Sequence, residues 1–172
     1  AGLRSFDRRM PEEVNRVLTD HCSDILFCPT ATAVRNLAAE GVTAGVHLPG
    51  DVMVDALREN LPLARERSTA LADFGLSPKG YFLATVHRAS NTDDPVALRA
   101  ILEAFALLDA PVIFPVHPRT QKKLAGYGIA PAANVRIVEP LPYFDMLALL
   151  SGARAVLTDS GGVQKEAYIL EV

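Results

Sequence analysis

The sequence predicts an α/β fold in which short parallel strands alternate with single helices. The hydrophobic share of 49% and the charged share of 22% are those of an ordinary soluble globular domain. Short apolar runs recur through the second half of the chain, and a helix-like segment follows each of them. Strands that are apolar on both faces are typical of parallel sheets covered by helices on both sides. Right-handed crossovers between such strands then build a doubly wound, Rossmann-type sheet.

The first 50 residues are predicted to form two helices and two short strands after a polar, arginine-rich loop at 1–10. Pro11 followed by two glutamates is typical of a helix N-terminus, where proline is tolerated and acids complement the helix dipole. Gly41 is placed to end the second helix. The predicted elements are a helix from Pro11, a strand at 24–28, a helix at 31–40 and a strand at 46–48.

The middle of the chain is predicted to be helical, with one interruption. An apolar face predicts a helix from Val52 to about Asn60. Pro62 is expected to break the pattern, because a proline inside a helix removes a backbone hydrogen bond and clashes with the preceding turn. A second helix is therefore predicted at 62–74, with a domain boundary near residue 76. This divides the chain into three parts, 1–50, 51–76 and 77–172.

Four strands and four helices are predicted to alternate after residue 80. Pro95 and Pro118 each stand at the first position of a predicted helix, where the missing N–H costs nothing. The strands are predicted at 81–86, 112–116, 135–138 and 153–157, and the helices at 95–108, 118–125, 143–150 and 162–170.

Polar clusters follow three of these strands, at the edge where parallel sheets bind ligands. They are His87-Arg88, His117 to Thr120, and Asp159 to Gly162. The third cluster leads into a helix, and bare backbone N–H groups at a helix N-terminus bind anions. Ser160 adds a hydroxyl donor, while Gly161 and Gly162 carry no Cβ to keep a diphosphate from the backbone.

The same pattern suggests a role for three further residues. Glu166 lies in the following helix, where a carboxylate can accept hydrogen bonds from a ribose diol. Arg88 offers a two-pronged donor to a phosphate, and His87 can supply charge or a proton to a leaving group. Arg119 follows His117 at the equivalent place after the neighbouring strand. The alternative is structural: Ser160 as a helix cap, Ser90 to Thr92 as the cap of the next helix, and Pro118 as a helix start.

Composition excludes several other functions. The net charge of −3 is spread over both signs, so neither a nucleic-acid surface nor a basic membrane-binding patch is expected. No run reaches the roughly 18 apolar residues of a membrane span. Cys22 and Cys28 have no further Cys or His at zinc-site spacing, which predicts reduced thiols in a cytoplasmic protein without a metal.

Several blocks, in order, resemble those of the non-hydrolysing UDP-N-acetylglucosamine 2-epimerases. Nearly the whole chain is covered. The opening Ala1 to Arg4 is similar to the end of that family's VEAGLR motif. The other blocks are Arg9 to Arg16, Phe27 to Thr30, Gly50 to Asp55, Thr85 to Arg88, Pro115 to Thr120 and Thr158 to Ala167.

The resemblance implies a GT-B-like fold, with two Rossmann-like domains and an active site in the cleft between them. This chain would supply the end of the first domain, the connecting segment and the first part of the second. The implied reaction interconverts UDP-GlcNAc and UDP-ManNAc by elimination and re-addition of UDP, with no metal or nicotinamide. The family also implies a homodimer and a place in cell-surface polysaccharide biosynthesis.

Within that resemblance, Glu12 matches a catalytic carboxylate, although from physical chemistry alone it reads as an acid that complements a helix dipole. His87 is the second catalytic residue implied. The UDP ligands implied are Arg88, His117, Arg119, Ser160, Gly161, Gly162 and Glu166.

The family's carboxylate before AGLR is not in this sequence, so we expect the 172 residues alone not to epimerise. Three other functions remain open. They are a GT-B glycosyltransferase using a UDP-sugar donor, a hydrolysing UDP-GlcNAc 2-epimerase and a non-catalytic nucleotide-sugar binding module.

Overall fold

The computed structural model describes residues 1–172. The chain divides into two compact units, Ala1–Ala56 and Leu57–Val172, and the division falls inside one helix. None of the helices combines the length and the hydropathy that crossing a membrane requires.

The first unit has a small parallel sheet with helices. Its elements are α1 (Pro11–His21), β1 (Leu26–Phe27), α2 (Ala31–Ala39), β2 (Val46–His47) and the first residues of α3 (Val52–Arg67). Leu26 pairs with Val46 across the parallel ladder. Thr30 caps α2 by accepting a hydrogen bond from the backbone N–H of Ala33. These elements agree with those predicted for the first 50 residues.

A buried arginine fastens the opening residues to both helices of this unit. The Arg4 side chain is 1% exposed. Its guanidinium donates two hydrogen bonds to Glu40, at 2.7 and 2.8 Å, and one of 2.7 Å to Asp20. Asp20 also accepts from the backbone N–H of Gly2. Although 1–10 lacks regular structure, as predicted, its first residues are therefore anchored by a fully paired charge.

The second unit is built on a four-stranded parallel sheet. The strands are β3 (Phe82–Thr85), β4 (Val112–Pro115), β5 (Val135–Val138) and β6 (Ala155–Thr158). Their order across the sheet is β5-β4-β3-β6, and every pair is parallel. The chain therefore runs outward from β3 to β5 and then returns to the other side of β3, which is the doubly wound arrangement.

Alternate residues of the strands face different helices. Along β3, Phe82 and Ala84 lie in one buried cluster with Leu98 and Leu102, whereas Leu83 and the preceding Tyr81 lie in another with Leu149. Helices thus cover both faces of the sheet, which confirms the predicted α/β class. The helices of this unit after α3 are α4 (Ala70–Asp73), α5 (Ala89–Thr92), α6 (Pro95–Ala106), α7 (Pro118–Gly126), α8 (Tyr143–Gly152) and α9 (Gly161–Ile169).

The predicted break at Pro62 is wrong. Helix α3 runs without interruption from Val52 to Arg67 with Pro62 inside it. Leu57, Leu61 and Ala64 follow the helical period on both sides of the proline and pack in one cluster with Leu147. Burial of this continuous stripe outweighs the one backbone hydrogen bond that the proline removes.

The structural alternative, in which residues 90–92 cap the helix at 95–108, is also wrong. Residues 89–92 form the short helix α5 instead. The cap of α6 is Asp94, whose side chain accepts a 2.8 Å hydrogen bond from the backbone N–H of Val96. Asn91 does not cap α6; its side-chain amide donates a hydrogen bond to the Asp159 carboxylate instead.

We expect Pro62→Ala to raise the free energy of unfolding by about 1 to 3 kcal/mol, because the exposed ring contributes little packing and alanine restores the missing helical hydrogen bond. Urea unfolding followed by circular dichroism measures this. Pro95→Ala is the matched control, since that proline stands at the first position of α6, and its effect should stay below about 1 kcal/mol. Destabilisation by Pro62→Ala would contradict this account of α3.

Candidate functional site

The polar segments that follow β3, β4 and β6 lie along one edge of the sheet. These three strands are adjacent and parallel, so their carboxyl ends meet on the same side. The side chains of Thr85 and Thr158, the last residues of β3 and β6, are joined by a 2.6 Å hydrogen bond. His87, His117 and Ser160 therefore begin neighbouring loops of one edge.

The turn between β6 and α9 is both a helix cap and an open helix N-terminus. The Ser160 hydroxyl accepts from the backbone N–H of Val163 at 3.4 Å, and the Ser160 N–H donates to Thr158 at 2.9 Å. Gly161, the first residue of α9, is exposed, and a Cβ added there would have no neighbour within 4 Å. The fold itself therefore leaves this position open in front of the helix N-terminus.

Asp159 holds the two loops of this edge together. Its carboxylate accepts from the backbone N–H of His87 at 3.1 Å, from that of Arg88 at 2.9 Å and from the Asn91 side chain at 2.9 Å. His87 Nδ1 lies 3.0 Å from Oδ1 of the same carboxylate. The sequence placed Asp159 in a polar cluster but assigned it no function. The signal in the sequence was an acid directly before a Ser-Gly-Gly turn, together with a histidine in the loop that follows another strand.

The surroundings of Asp159 keep it ionised. Burial pushes its pKa upward, but the hydrogen bonds from Arg88, Asn91 and His87 and the nearby His87 ring together hold the pKa below the usual range. The side chain is 12% exposed. Asp159 is thus a charged acceptor, fully occupied by the loop it fixes.

His87 and Arg88 present their side chains to solvent at this edge. The His87 side chain is 59% exposed, although its Nδ1 lies against Asp159. The Arg88 guanidinium is exposed and forms no hydrogen bond or ion pair within the protein. Both backbone N–H groups are taken by Asp159, so the two side chains are available while their backbone is fixed.

His117 and Arg119 are more strongly engaged by the protein itself. His117 caps α7, its Nδ1 accepting from the backbone N–H of Arg119 at 3.3 Å. The Arg119 guanidinium pairs with Asp93 at 3.1 Å, and Lys123 pairs with the same carboxylate. An anion that reached Arg119 would compete with Asp93 for it.

Glu166 is a half-buried carboxylate on α9. Burial raises its pKa above the usual value. The pKa of Tyr143 is raised as well, by burial first and then by the negative charge of Glu166, so the two groups are electrostatic neighbours. Because ionisation of this half-buried carboxylate is unfavourable in the free protein, a ligand hydroxyl that donates a hydrogen bond to it would stabilise its charged form.

In the first unit, the two adjacent glutamates have different environments. Glu13 is buried and accepts from the backbone N–H of Ser5 and of Phe6, each at 2.9 Å. The hydrogen bond from Ser5 first, then that from Phe6 and the positive charge of Arg16, lower the pKa of Glu13 against the effect of burial. Glu12 is exposed in the first turn of α1. Glu13 therefore holds the loop at 1–10, and Glu12 is left accessible.

No three histidine, cysteine, aspartate or glutamate side chains are grouped so that they could hold a metal ion. The structure brings together His87, Arg88 and the Ser160 turn through Asp159, and places His117 at the next strand end. Glu12 belongs to the other unit.

A family model described as UDP-N-acetylglucosamine 2-epimerase matches residues 1–172. A Methanococcus maripaludis protein named UDP-N-acetylglucosamine 2-epimerase homolog is 50% identical, over 100% of this chain and 50% of its own length. A Pseudomonas aeruginosa UDP-2,3-diacetamido-2,3-dideoxy-D-glucuronate 2-epimerase is 48% identical, over 98% of this chain and 47% of its own.

Solved structures give the same result. The Methanocaldococcus jannaschii UDP-GlcNAc 2-epimerase in complex with UDP-GlcNAc and UDP matches with a TM-score of 0.87 and 43% identity, over 100% of this chain and 50% of that one. The fold is thus of the GT-B-like kind found in these enzymes. The chain spans about half the length of the curated relatives it matches.

We expect Glu166→Gln to raise the melting temperature at neutral pH. Because the folded-state pKa of Glu166 lies above its ordinary value of 4.5, the unfolded chain ionises this carboxyl more readily. The folded state therefore loses stability as the pH rises from the unfolded-state pKa through the folded-state pKa. At lower pH, where Glu166 is protonated in both the folded and the unfolded chain, this loss is absent. The uncharged amide avoids this loss, so the gain should disappear below about pH 4.

Thermal melts at about pH 4 and about pH 7.5 measure the effect. Glu103→Gln, at an exposed position of α6, is the matched control and should leave the melting temperature unchanged. A gain for Glu166→Gln that is equally large at both pH values would show that its ionisation is not the cause.

Proposed function

Since the chain belongs to the UDP-N-acetylglucosamine 2-epimerase family, we propose that the whole protein interconverts UDP-GlcNAc and UDP-ManNAc. The observation that carries the proposal is the family match over all 172 residues, combined with the donors gathered at one sheet edge. A relative that is 43% identical has been solved with UDP-GlcNAc and UDP bound.

The proposed diphosphate site is the N-terminus of α9. Backbone N–H groups of Gly161 and Gly162 and the Ser160 hydroxyl would donate to phosphate oxygens, helped by the positive end of the helix dipole. The unpaired Arg88 guanidinium and the exposed His87 ring supply further donors. Glu166 would accept from the ribose hydroxyls.

His117 and Arg119 are proposed to bind UDP-sugar at the neighbouring strand end. Their support is position, since β4 lies next to β3 in the sheet. Arg119 would exchange its pair with Asp93 for a phosphate, an exchange of one charge-assisted contact for another.

The proposed reaction begins with elimination. The C2–H bond breaks, and its electron pair forms a C1=C2 double bond while the C1–O bond breaks with its pair on departing UDP. The C2 proton passes to a base, for which we propose Glu12, the exposed carboxylate of α1. The resulting 2-acetamidoglucal then takes UDP back at C1 and a proton from solvent at C2 on the opposite face, which inverts that carbon.

Fixed donors account for the first step. Negative charge develops on the leaving diphosphate, and donors that are already oriented stabilise it without reorganising in the transition state. The backbone of the loop that carries His87 and Arg88 is held by Asp159, which supports the proposal that these side chains start from a fixed position.

We also propose the remaining organisation of the whole protein. Residues 1–50 would form the end of an N-terminal Rossmann-like domain. Residues 51–76 would connect the two domains, and residues 77–172 would form the first part of the UDP-binding domain. The protein is proposed to be a cytoplasmic homodimer that serves cell-surface polysaccharide biosynthesis and binds no nucleic acid. Two free cysteines and a net charge of −3 support the reducing compartment and the absence of nucleic acid.

Deuterium exchange tests the proposed reaction. In D₂O, a protein that carries this chain together with the half found in its relatives should place deuterium at C2 of UDP-GlcNAc and form UDP-ManNAc. Transfer that requires an added acceptor would identify a glycosyltransferase, and free ManNAc with UDP a hydrolysing epimerase. Binding without exchange would identify a binding module. Exchange confined to the diacetamido glucuronate substrate of the Pseudomonas relative would assign that sugar instead.

We expect Gly161→Ala to weaken UDP binding by at least about tenfold, since the added methyl would stand where the diphosphate meets the backbone. Stability should be unchanged or higher by up to about 1 kcal/mol, because the methyl contacts no protein atom. Calorimetric UDP titration and thermal melts give the two values.

Gly126→Ala, at the last position of α7 and equally free of neighbours, is the matched control and should alter neither UDP affinity nor melting behaviour by much. Unchanged UDP affinity in Gly161→Ala would show that the diphosphate does not bind at this turn.

We expect Glu12→Gln to slow deuterium entry at C2 by at least about 100-fold, because the amide cannot take up the proton. UDP affinity should change less than about threefold. Mass spectrometry of the nucleotide sugar measures the exchange. Glu59→Gln, an exposed glutamate of α3, is the control with full exchange expected. Normal exchange in Glu12→Gln would assign the base to another residue.

A further inference from the structure

We propose that a cavity beside α1, within the first unit, binds an elongated apolar molecule that carries one negatively charged group. All of its lining residues lie between Arg4 and Glu40, inside that unit. None of them belongs to the residues proposed for UDP binding or for catalysis. The inference therefore goes beyond the proposed reaction and does not depend on it.

The apolar lining of this cavity comes largely from one face of α1. The cavity volume is about 470 Å³, within the roughly 300–1,000 Å³ of small-molecule sites. Val14, Val17 and Leu18 line it at the spacing of a helix face that packs against another element, yet Leu18 is 59% exposed. The lining runs from residue 13 to residue 21, about 12 Å along a helix that rises 1.5 Å per residue. The cavity thus suits an elongated molecule.

Phe6 lines the same cavity in an unfavourable conformation. Its φ of 59° lies in the left-handed region, which bulky side chains rarely adopt, and the residue is 77% exposed. The buried Glu13 carboxylate holds this conformation by accepting 2.9 Å hydrogen bonds from the N–H groups of Ser5 and Phe6. The protein thus keeps an aromatic ring open to solvent beside an apolar surface. An apolar ligand would remove both from water at once.

Arg8 is the cation of this cavity that the protein leaves unpaired. Its guanidinium is exposed and forms no hydrogen bond or ion pair. Arg4, in contrast, is paired with both Asp20 and Glu40. Nε2 of His21, the last residue of α1, lies 3.7 Å from the Glu40 carboxylate. We therefore expect the negative group of a ligand at Arg8, before α1, and its apolar part along the helix.

This lining selects a carboxylate with an aryl or alkyl body over a nucleotide diphosphate. It contains no glycine turn whose N–H groups could meet a diphosphate, and no second arginine or lysine that is free of an acid. One guanidinium matches one carboxylate through two parallel hydrogen bonds. The four apolar residues leave the rest of the ligand without polar partners, so that part must itself be apolar.

Titration of the full chain with 4-phenylbutyrate, followed by ¹H–¹⁵N NMR, tests the proposal. We expect saturable shifts of the backbone signals of residues 6–8 and 14–21. The neutral 4-phenylbutanamide should bind at least about fivefold more weakly, because it lacks the charge that pairs with Arg8. Absence of saturable shifts at these residues, or equal binding of the acid and the amide, overturns the proposal.

Arg8→Gln tests the charge. We expect the affinity for 4-phenylbutyrate to fall at least about fivefold and the preference over the amide to disappear. Arg9→Gln is the matched control, since the neighbouring Arg9 pairs with Asp7 and does not line the cavity, and it should leave the affinity unchanged. Full affinity for the acid in Arg8→Gln overturns the proposal.

Phe6→Gly tests the aromatic ring. We expect it to weaken 4-phenylbutyrate binding at least about fivefold, while the melting temperature stays the same or rises, because glycine adopts a positive φ without strain. Glu171→Gly replaces another residue of positive φ that does not line the cavity, and this control should bind as the wild type does. Wild-type affinity in Phe6→Gly contradicts the proposal.

Three other results would assign the cavity to a different occupant, and each overturns the proposal. Shifts of the same signals with protein concentration, in the absence of ligand, would indicate a second copy of the chain. Loss of 4-phenylbutyrate binding in a protein that also carries the half found in the relatives would indicate that this half covers the cavity. Competition by UDP would make the cavity part of the nucleotide-sugar site. A chain that binds 4-phenylbutyrate but no UDP would contradict the proposed function alone.

Discussion

The carboxylate of Asp159 is the constraint on which the candidate site depends. It comes from the end of β6, and its donors come from the loop after β3, about 70 residues earlier in the chain. Without it, the segment with the exposed His87 and Arg88 would lose its hydrogen bonds to the end of β6. The 2.6 Å bond between Thr85 and Thr158 joins the same two strands one residue earlier. Together these contacts turn two separate loops into one surface of fixed shape.

That surface lies at the edge of a sheet whose hydrophobic core is built from the strands and helices beneath it. Residues of β3 enter one buried cluster or the other by strict alternation, and β4 contributes Ile113 to one face and Phe114 to the other. The core therefore lies beneath the edge, and the loops above it contribute little apolar burial. Such a division lets the side chains of the loops vary with the chemistry of the site, while the strands keep the residues that the core requires.

The parallel sheet and its helices could be predicted from the sequence because apolar runs and strand ends are local signals. Pro62 was misjudged because its penalty is local, whereas the packing of Leu57 and Leu61 that outweighs it involves a helix 80 or so residues away. Asp159 received no function because its partners are distant in the chain. Nor can a sequence tell which of two adjacent glutamates is buried, since Ser5 and Phe6 decide it by folding back onto Glu13.

The buried Arg4 has a consequence for how this chain can diversify. One planar guanidinium reaches Glu40 with two of its nitrogens and Asp20 with the third. Lysine has a single ammonium on a flexible stem and cannot reproduce that fork, so it would leave one of the two acids, of which Asp20 is buried, inadequately neutralised. Arginine to lysine is usually counted as a mild exchange. At this position it would separate the ends of two helices, and homologues are expected to keep the arginine or to lose both acids together.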